Sequence, residues 1–314
     1  MRKSLVSVVM AVYNGQDFVE SAIQSILDQT YKNFELIIVD DGSTDDSAAI
    51  IKAIKDKRIH YIYEKNRKLP GALNNGIAHA KGEFIARMDA DDLSYPDRLE
   101  KQANFLLKNN DVALVGANFD IIDLDGQLIG RSYHLDRPSD IKLEFLLRNP
   151  FGHGTIMVRR HALELIGSYD AQHPIEDYEL WWRLAQKFKL ANLPDFLYAW
   201  RVSPAGMSHG DTDRRQKPIA DLMDRVRRES TLTGMTRAEI KNGLSHYTAL
   251  GPQFVEQYSY MLAAFCLAEF KRGHILFATL LLAKLLTFKK MPRAILGFVK
   301  DPFSHNYNLK LVSK

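Results

Sequence analysis

The sequence predicts an α/β protein, a mostly parallel sheet flanked by helices, with a helical C-terminal extension. In the first 120 residues, short β-branched apolar runs alternate with segments of helical periodicity, as right-handed βαβ units require. Beyond about residue 205 the strand-like runs stop, and apolar residues recur at helical spacing. A length of 314 residues, with 46% hydrophobic and 25% charged, suits one large domain plus an appendage, or two modest domains.

Each element has a local reason. LVSVVMAVY (5–13) is β-branched and largely apolar, the pattern of a strand buried on both faces. The start, MRKSLVSVVMAVYNG, is basic and then apolar like a secretory leader. Its apolar stretch is short, however, and runs into YNGQDFVESA without a small-residue cleavage site, so it reads as the first strand. DFVESAIQSILDQ (17–29) puts Phe18, Ala22, Ile26 and Leu27 at helical spacing. FELIIVDD (34–41) is a second buried strand, and STDDSAAIIKAIKD opens with residues suited to an N-cap. IHYIYEK (59–65) reads as a third strand, PGALNNGIAHAKG as a helix ending near Gly82, and EFIARMD (83–89) as a fourth strand. DRLEKQANFLLKN follows as a helix, DVALVGANFDIID as a strand running into a turn at Asp125-Gly126, GTIMVRR (154–160) as a strand and EDYELWWRLAQKF (176–188) as a helix. Further on, Ile219, Leu222, Met223 and Val226 share one helical face, Thr236 and Glu239 make a capping box, and Pro252 and Gly273 bracket another helix.

The single Cys266 rules out an internal disulfide framework and a cysteine zinc cluster, and points to a reducing, cytoplasmic compartment. No segment reaches the roughly 20 apolar residues that span a bilayer. ILFATLLLAKLLTF (275–288), the nearest, is short and carries Lys284. Residues 200–314 hold 18 Lys/Arg against 9 Asp/Glu, whereas the remainder is net acidic. Two readings stay open: a solvated scatter of charge, or a basic, Leu-rich tail lying peripherally on the anionic inner face of the cell membrane. No nucleic-acid motif accompanies the charge, and no nucleic-acid partner is expected.

In open α/β sheets, ligands bind beyond the carboxyl ends of the strands. Polar residues cluster at three such ends: Tyr13-Asn14-Gly15, Asp40-Asp41-Gly42-Ser43 and Asp89-Ala90-Asp91-Asp92. A single acidic strand end is an ordinary helix cap; three in one domain indicate a site. Neither GxGxxG after the first strand nor GxxxxGK[ST] occurs, which excludes the dinucleotide fingerprint and the Walker phosphate loop. Aspartates do not grip a pyrophosphate directly, because anion faces anion, so a hard divalent cation, Mg²⁺ or Mn²⁺, is expected between them.

The stretch SVVMAVYNGQDFVESAIQSILDQTYKNFELIIVDDGSTDDS, followed by GALNNGIAHAKGEFIARMDADD, resembles the family 2 glycosyltransferases with the GT-A fold, over roughly residues 4–205. The resemblance implies an inverting hexosyltransferase of the bacterial cell-surface polysaccharide type. Its donor is a nucleotide-diphosphate sugar, favoured to be UDP-linked, and its acceptor a glycan or lipid-linked hydroxyl. It also implies a Rossmann-like GT-A domain at 1–208, divided into a nucleotide-sugar-binding half (1–115) and an acceptor half (116–208); the helical periodicity beyond it marks a separate region at 209–314. Ala11 and Tyr13 match the strand end that holds the nucleotide base. Asp41 matches the residue that hydrogen-bonds the base, and Asp40 the one that orders the loop. Asp89 matches the first acid of the DxD, toward the ribose, and Asp91 the metal ligand. Asp92 is either a third ligand or a cap for the next turn.

At the chemical end, Glu176, Asp177 and Glu179 are, as residues, dipole-favoured caps of a helix start. The resemblance makes Asp177 the catalytic base and Glu176 its neighbour in the motif. Trp181 and Trp182 follow, one expected in the core and the other open to a sugar contact. His153 matches a segment bordering the acceptor side, although a lone His is more often structural. Arg201, in WRVSPAGMSH, matches an Arg that reaches the diphosphate, but the family often carries a His a few positions on, where this chain reads SPAG. Two other classes stay open: a sugar-phosphate nucleotidyltransferase, against which the absence of a Gly-rich loop in VYNGQDF counts, and a non-catalytic sugar-nucleotide-binding relative.

Overall fold

The strand predicted at the start of the chain forms β1 (Val6–Val12) and lies between two parallel neighbours, with all but Ala11 buried. The computed structural model describes residues 4–136, 138, 141, 144–145, 149–202, 221 and 225. After β1 come α1 (Val19–Leu27), β2 (Phe34–Asp40), α2 (Ser47–Ala53), β3 (Ile59–Tyr63), α3 (Lys68–His79) and β4 (Phe84–Asp89). The second part contributes β5 (Leu93–Ser94), α4 (Arg98–Lys108), β6 (Val112–Ile122), β7 (Leu128–Ser132), a 3₁₀ turn (His153–Thr155), β8 (Met157–Arg159), α5 (Arg160–Ile166), α6 (Glu176–Ala185) and β9 (Lys189–Arg201).

These strands build one sheet in the order β3-β2-β1-β4-β8-β6-β9-β5, with β7 paired to β6. The β1–β2, β1–β4, β2–β3 and β6–β9 pairs are parallel, whereas β8, β5 and β7 run antiparallel to their neighbours. This is the mostly parallel α/β sheet expected, continuous through both halves of the predicted domain. The C-terminal helices, the basic tail, Cys266 and the 275–288 segment lie outside the described residues. Among the described residues, no helix is long and apolar enough to cross a membrane.

Side chains alternate across the sheet, so each strand feeds two layers. On one face Val6, Val8 and Met10 of β1 meet Leu36, Ile38, Ala86 and Met88, covered by Ala22, Ile23 and Ile26 of α1 and by Leu99, Ala103 and Leu106 of α4. On the other, Ile37 and Val39 pack against Ala72 of α3. Phe18, expected on the buried stripe of α1, instead precedes the helix, and its ring lies 4.5 Å beneath the Arg201 guanidinium. The N-cap chemistry expected before α2 comes from Asp45, which accepts hydrogen bonds from the Ser47 backbone N–H (3.0 Å) and hydroxyl (2.5 Å).

The strand β9 and the short β5 and β7 were not visible as strands in the sequence. β9 carries Pro194 within KLANLPDFLYAWR, where its register against β6 shifts. Proline cannot donate to a ladder, but Asn118 Nδ2 donates to the Pro194 carbonyl at 2.8 Å and bridges the irregularity.

Helix α3 approaches the sheet closely at Gly76, where an added Cβ would meet Val9 Cγ1 at 2.5 Å and Val39 Cγ2 at 3.3 Å. Both neighbours are β-branched, buried and stiff at χ1, so they cannot yield. Replacing Gly by Ala inside a helix ordinarily gains about 1 kcal/mol, while overpacking costs about 1–3 kcal/mol. Gly76→Ala is therefore expected to lower the urea unfolding midpoint; a midpoint at or above that of the parent would mean that α3 moves off the sheet freely.

Candidate active site

The register of β1 sets the geometry of the carboxyl edge. Val12 stands beside Asp40 of β2, and Ala11 stands beside Asp89 of β4. The chain travels outward from β1 through β2 to β3 and returns to β4 on the far side of β1, so the β1/β4 edge is a topological switch point, the usual place for a ligand crevice. Tyr13, 55% exposed, projects from this edge, and Ala11 is half-buried below it.

The loops after β1 and β2 are laced together. Asn14, at φ +52°, uses its side-chain oxygen to accept from Thr44 N at 2.8 Å, while its backbone N–H donates to Ser43 Oγ at 3.0 Å. Gly15 N donates to Ser47 Oγ and Gln16 N to Asp45 Oδ2. Asp40 is fully buried and accepts from Ser43 N (2.8 Å) and from the Tyr61 hydroxyl (2.6 Å), which fixes the DGS turn. Gly42 adopts φ +82° there, and a Cβ would lie 3.0 Å from Asn66 N. Asp41 is 3% exposed and accepts from Arg67 N at 2.6 Å, at the start of α3. Burial raises its pKa, while the backbone hydrogen bond opposes the rise.

The three acids of DADD have different surroundings. Asp89 Oδ2 accepts from Arg87 Nη1, and Asp89 N donates to the Tyr198 hydroxyl at 3.2 Å. Asp92 is 1% exposed, accepts from Arg201 N at 2.7 Å and pairs with the Tyr198 hydroxyl. Burial first, and the neighbouring Asp91 charge second, hold its pKa well above the ordinary carboxylate range. It therefore fastens the loop to β9 rather than capping the next turn. Asp91 is half-buried; its carbonyl accepts from Arg201 Nε at 2.8 Å, and its carboxylate takes no described hydrogen bond.

This arrangement tests the fit of a divalent cation. Among the described residues, no group of three His, Cys, Asp or Glu side chains forms a ready-made metal cage. One uncommitted carboxylate at the crevice fits the Mg²⁺ habit of using one or two carboxylates with substrate phosphates. It does not fit a metal held by protein ligands alone.

Asp177 begins α6, half-buried, with Oδ2 accepting from Asn149 Nδ2 and Oδ1 from Tyr178 N, both at 2.7 Å. Burial raises its pKa, and the Tyr178 backbone hydrogen bond, then the Arg87 charge, then the Asn149 hydrogen bond act against the rise. Glu176 precedes it, also half-buried.

Two expected contacts differ. Trp181 is wholly buried, ringed edge-on by Phe151, His153 and Tyr169, and Trp182 is 5% exposed. Both tryptophans are core, so neither has a face to stack on a sugar. The guanidinium of Arg201 is occupied by the carbonyls of Asp91, Asp123 and Leu124 and lies on Phe18. It braces the DADD loop, and reaching a diphosphate would require these bonds to break. His153 Nε2 is bonded to the Tyr169 hydroxyl at 2.8 Å, and burial pushes its pKa well below normal, leaving a neutral, structural ring.

Three residues without a sequence expectation contact the candidate acids: Arg87 pairs with Asp89, Asn149 donates to Asp177, and Tyr198 bonds Asp89 N and Asp92. Only Arg87 carried a signal, a charge inside the apolar run EFIARMD two residues before Asp89, and hence on its strand face.

Residues 7–167 match the family described as Glycosyl transferase family 2. The chain is 40% identical over 205 residues to the protein named "Putative glycosyltransferase EpsE" of Bacillus subtilis, covering 62% of this chain and 72% of that one. It is 35% identical over 208 residues to the O-antigen biosynthesis glycosyltransferase WbnJ of Escherichia coli, covering 63% and 80%. In fold it is similar to S. aureus TarS 1–349 solved in complex with UDP-GlcNAc, at TM-score 0.60 and 17% identity, covering 83% and 80%. It is also similar to the mannosyltransferase PcManGT of Pyrobaculum calidifontis, solved with GDP-Man and Mn²⁺, at TM-score 0.55 and 20% identity, covering 91% and 88%. With the crevice at the β1/β4 edge and the family match over more than half its length, the chain belongs to glycosyltransferase family 2.

Proposed function

We propose that this glycosyltransferase inverts the anomeric centre, using a UDP-sugar as donor and a hydroxyl of a glycan or lipid-linked molecule as acceptor in cell-surface polysaccharide synthesis. The observation that carries this reading is the convergence at one sheet edge. Asp41 follows β2, and Asp89 and Asp91 lie at the end of β4, the two strands that flank β1, while Arg87, paired with Asp89, lies within electrostatic reach of Asp177. This supports reading the acids of β2 and β4 as the donor end and Asp177 as the basic end of one site. UDP-GlcNAc in TarS and GDP-Man with Mn²⁺ in PcManGT bracket the donor class, and the uracil form is favoured here by the family resemblance.

In this reading Tyr13 and Asp41 hold the base, Asp41 keeping an acceptor oxygen at the start of α3, and Asp89 takes the ribose. Asp91 holds Mg²⁺ or Mn²⁺, which when bound neutralises charge on the diphosphate. Asp177, oriented by Asn149, accepts the proton of the attacking hydroxyl, and a single displacement inverts the centre without a covalent intermediate. A positioned base contributes about 10²–10⁴-fold. Burial of Asp177 keeps its proton affinity above that of a free aspartate, which makes it the stronger base.

Asp177→Asn is expected to lower the transfer rate about 10²–10⁴-fold while isothermal titration with UDP-sugar gives near-native affinity; near-native turnover would refute the base assignment. Asp91→Ala should remove the Mn²⁺ dependence of nucleotide-sugar binding, and binding that still responds to Mn²⁺ would refute the metal assignment. Because the base must be ionised, the rate should fall as pH drops through a midpoint above the ordinary aspartate value of 3.8. A rate that holds level down to that value would contradict the burial effect.

A further inference from the structure

We propose that Arg87 is a positioning residue for both ends of the site, holding the Asp89 carboxylate by direct ion pairing and supplying the counter-charge for Asp177, the latter role resting on the assignment of Asp177 as base. Residues 87 and 89 point to one face of β4, opposite Met88, which lies in the core of the other face. Arg87 is 4% exposed, and its Nε finds no partner among the described residues. Its side chain lines a cavity of about 10 Å³ with Tyr169, Leu180 and Trp181. Leu180 and Trp181 follow Asp177 by three and four positions on α6, so they share its helical face. The stripe of α6 that closes over Arg87 therefore carries Asp177 at its N-terminal end.

A second buried arginine gives the contrast. Arg98 is also fully buried, but Nε donates to Gln102 Oε1, Nη2 donates to the carbonyls of Arg87 and Ile156, and the guanidinium packs 5.1 Å from the Tyr198 ring centroid. That guanidinium is consumed by the fold. Arg87 has one ion-pair partner at the crevice and an orphaned donor in an apolar pocket, and a buried orphan donor calls for an explanation. A structural cross-link of the Arg98 kind would spend its donors on the fold, whereas the Arg87 charge is committed to the Asp89 carboxylate and acts on Asp177.

The groups that act on Asp177 are Arg87 from β4, by its charge, and Asn149 from the preceding segment, by a hydrogen bond, while Glu176 precedes it on its own helix. Tyr169, from the chain between α5 and α6, feels the Asp177 charge, and His153, from the 3₁₀ turn, is bonded to Tyr169. Glu179, one turn along, is occupied by Arg183 at 2.8 Å. His153 is neutral, and burial holds Tyr169 as the neutral phenol. Arg87 therefore supplies the charge that opposes burial at Asp177. An opposite charge nearby lowers a carboxyl pKa by about 1–3 pH units.

The test is an NMR titration of the Asp177 side chain in the full, ligand-free chain labelled at aspartate Cγ, assigned with Asp177→Asn, alongside the pH profile of sugar transfer. Arg87→Gln should move the Asp177 midpoint up by about one pH unit or more, and Arg87→Lys should return it toward the parent value. Asp89→Asn, which releases Arg87 from its partner, should move it down, and keeps the test open if Arg87→Gln does not fold. An Asp177 midpoint that stays put in Arg87→Gln and in Asp89→Asn would overturn the proposal. If the NMR midpoint moves in Arg87→Gln while the acid limb of the transfer profile does not, the link stands and the base assignment falls.

Discussion

The parallel insertion of β1 between β2 and β4 is the constraint on which the site depends. β1 has Val6, Val8, Val9 and Met10 at no more than 1% exposure, so its register is locked by burial on both faces. Strand side chains alternate, and a slip of one residue would drive Val8 and Met10 out of one layer and put Ala11 out of step with Asp89. With the register fixed, Ala11 must stand beside Asp89 and Val12 beside Asp40, and the loops that leave these strands begin level with one another. Nothing at the crevice needs its own fold; the edge is a by-product of the core.

Crowding acids at that edge is unfavourable, and the structure distributes them by function. Asp40 orders the turn through Ser43 and Tyr61, and Asp92 fastens the loop to the backbone of Arg201 and the hydroxyl of Tyr198. Asp89 is matched by Arg87. Asp91 alone of the DADD acids has a carboxylate outside the described hydrogen bonds. Bonds to backbone and hydroxyl donors thus take up Asp40 and Asp92, and the Asp91 carboxylate stays outside the described bonds. Arg201 belongs to the scaffold too: its contacts with Asp91, Asp123 and Leu124 join the loop after β4 to the turn after β6.

The first half of the fold was readable because β1 and β2 are buried apolar runs rich in β-branched residues, and β3 and β4 follow at the spacing of βαβ units. The motif acids were readable because they sit just past those strands. β9 was not, since its run mixes Lys, Asn, Pro and Asp with apolar residues and is held by a side-chain bridge from Asn118, a tertiary fact. The same holds for Trp181 and Arg201: an aromatic on an amphipathic helix and an arginine near a phosphate motif each fit two roles, and only packing separates them. Asn149 had no periodic or motif signal; its meaning comes from Asp177 lying across from it. Arg87 was legible in principle, as a buried-strand charge in phase with Asp89.

The proposed single displacement between a nucleotide-sugar end and an aspartate end has a stereochemistry that is directly measurable. Proton NMR of the anomeric signal, taken on the first product formed from an α-linked UDP-sugar, is predicted to give the β configuration. An α product would contradict the account.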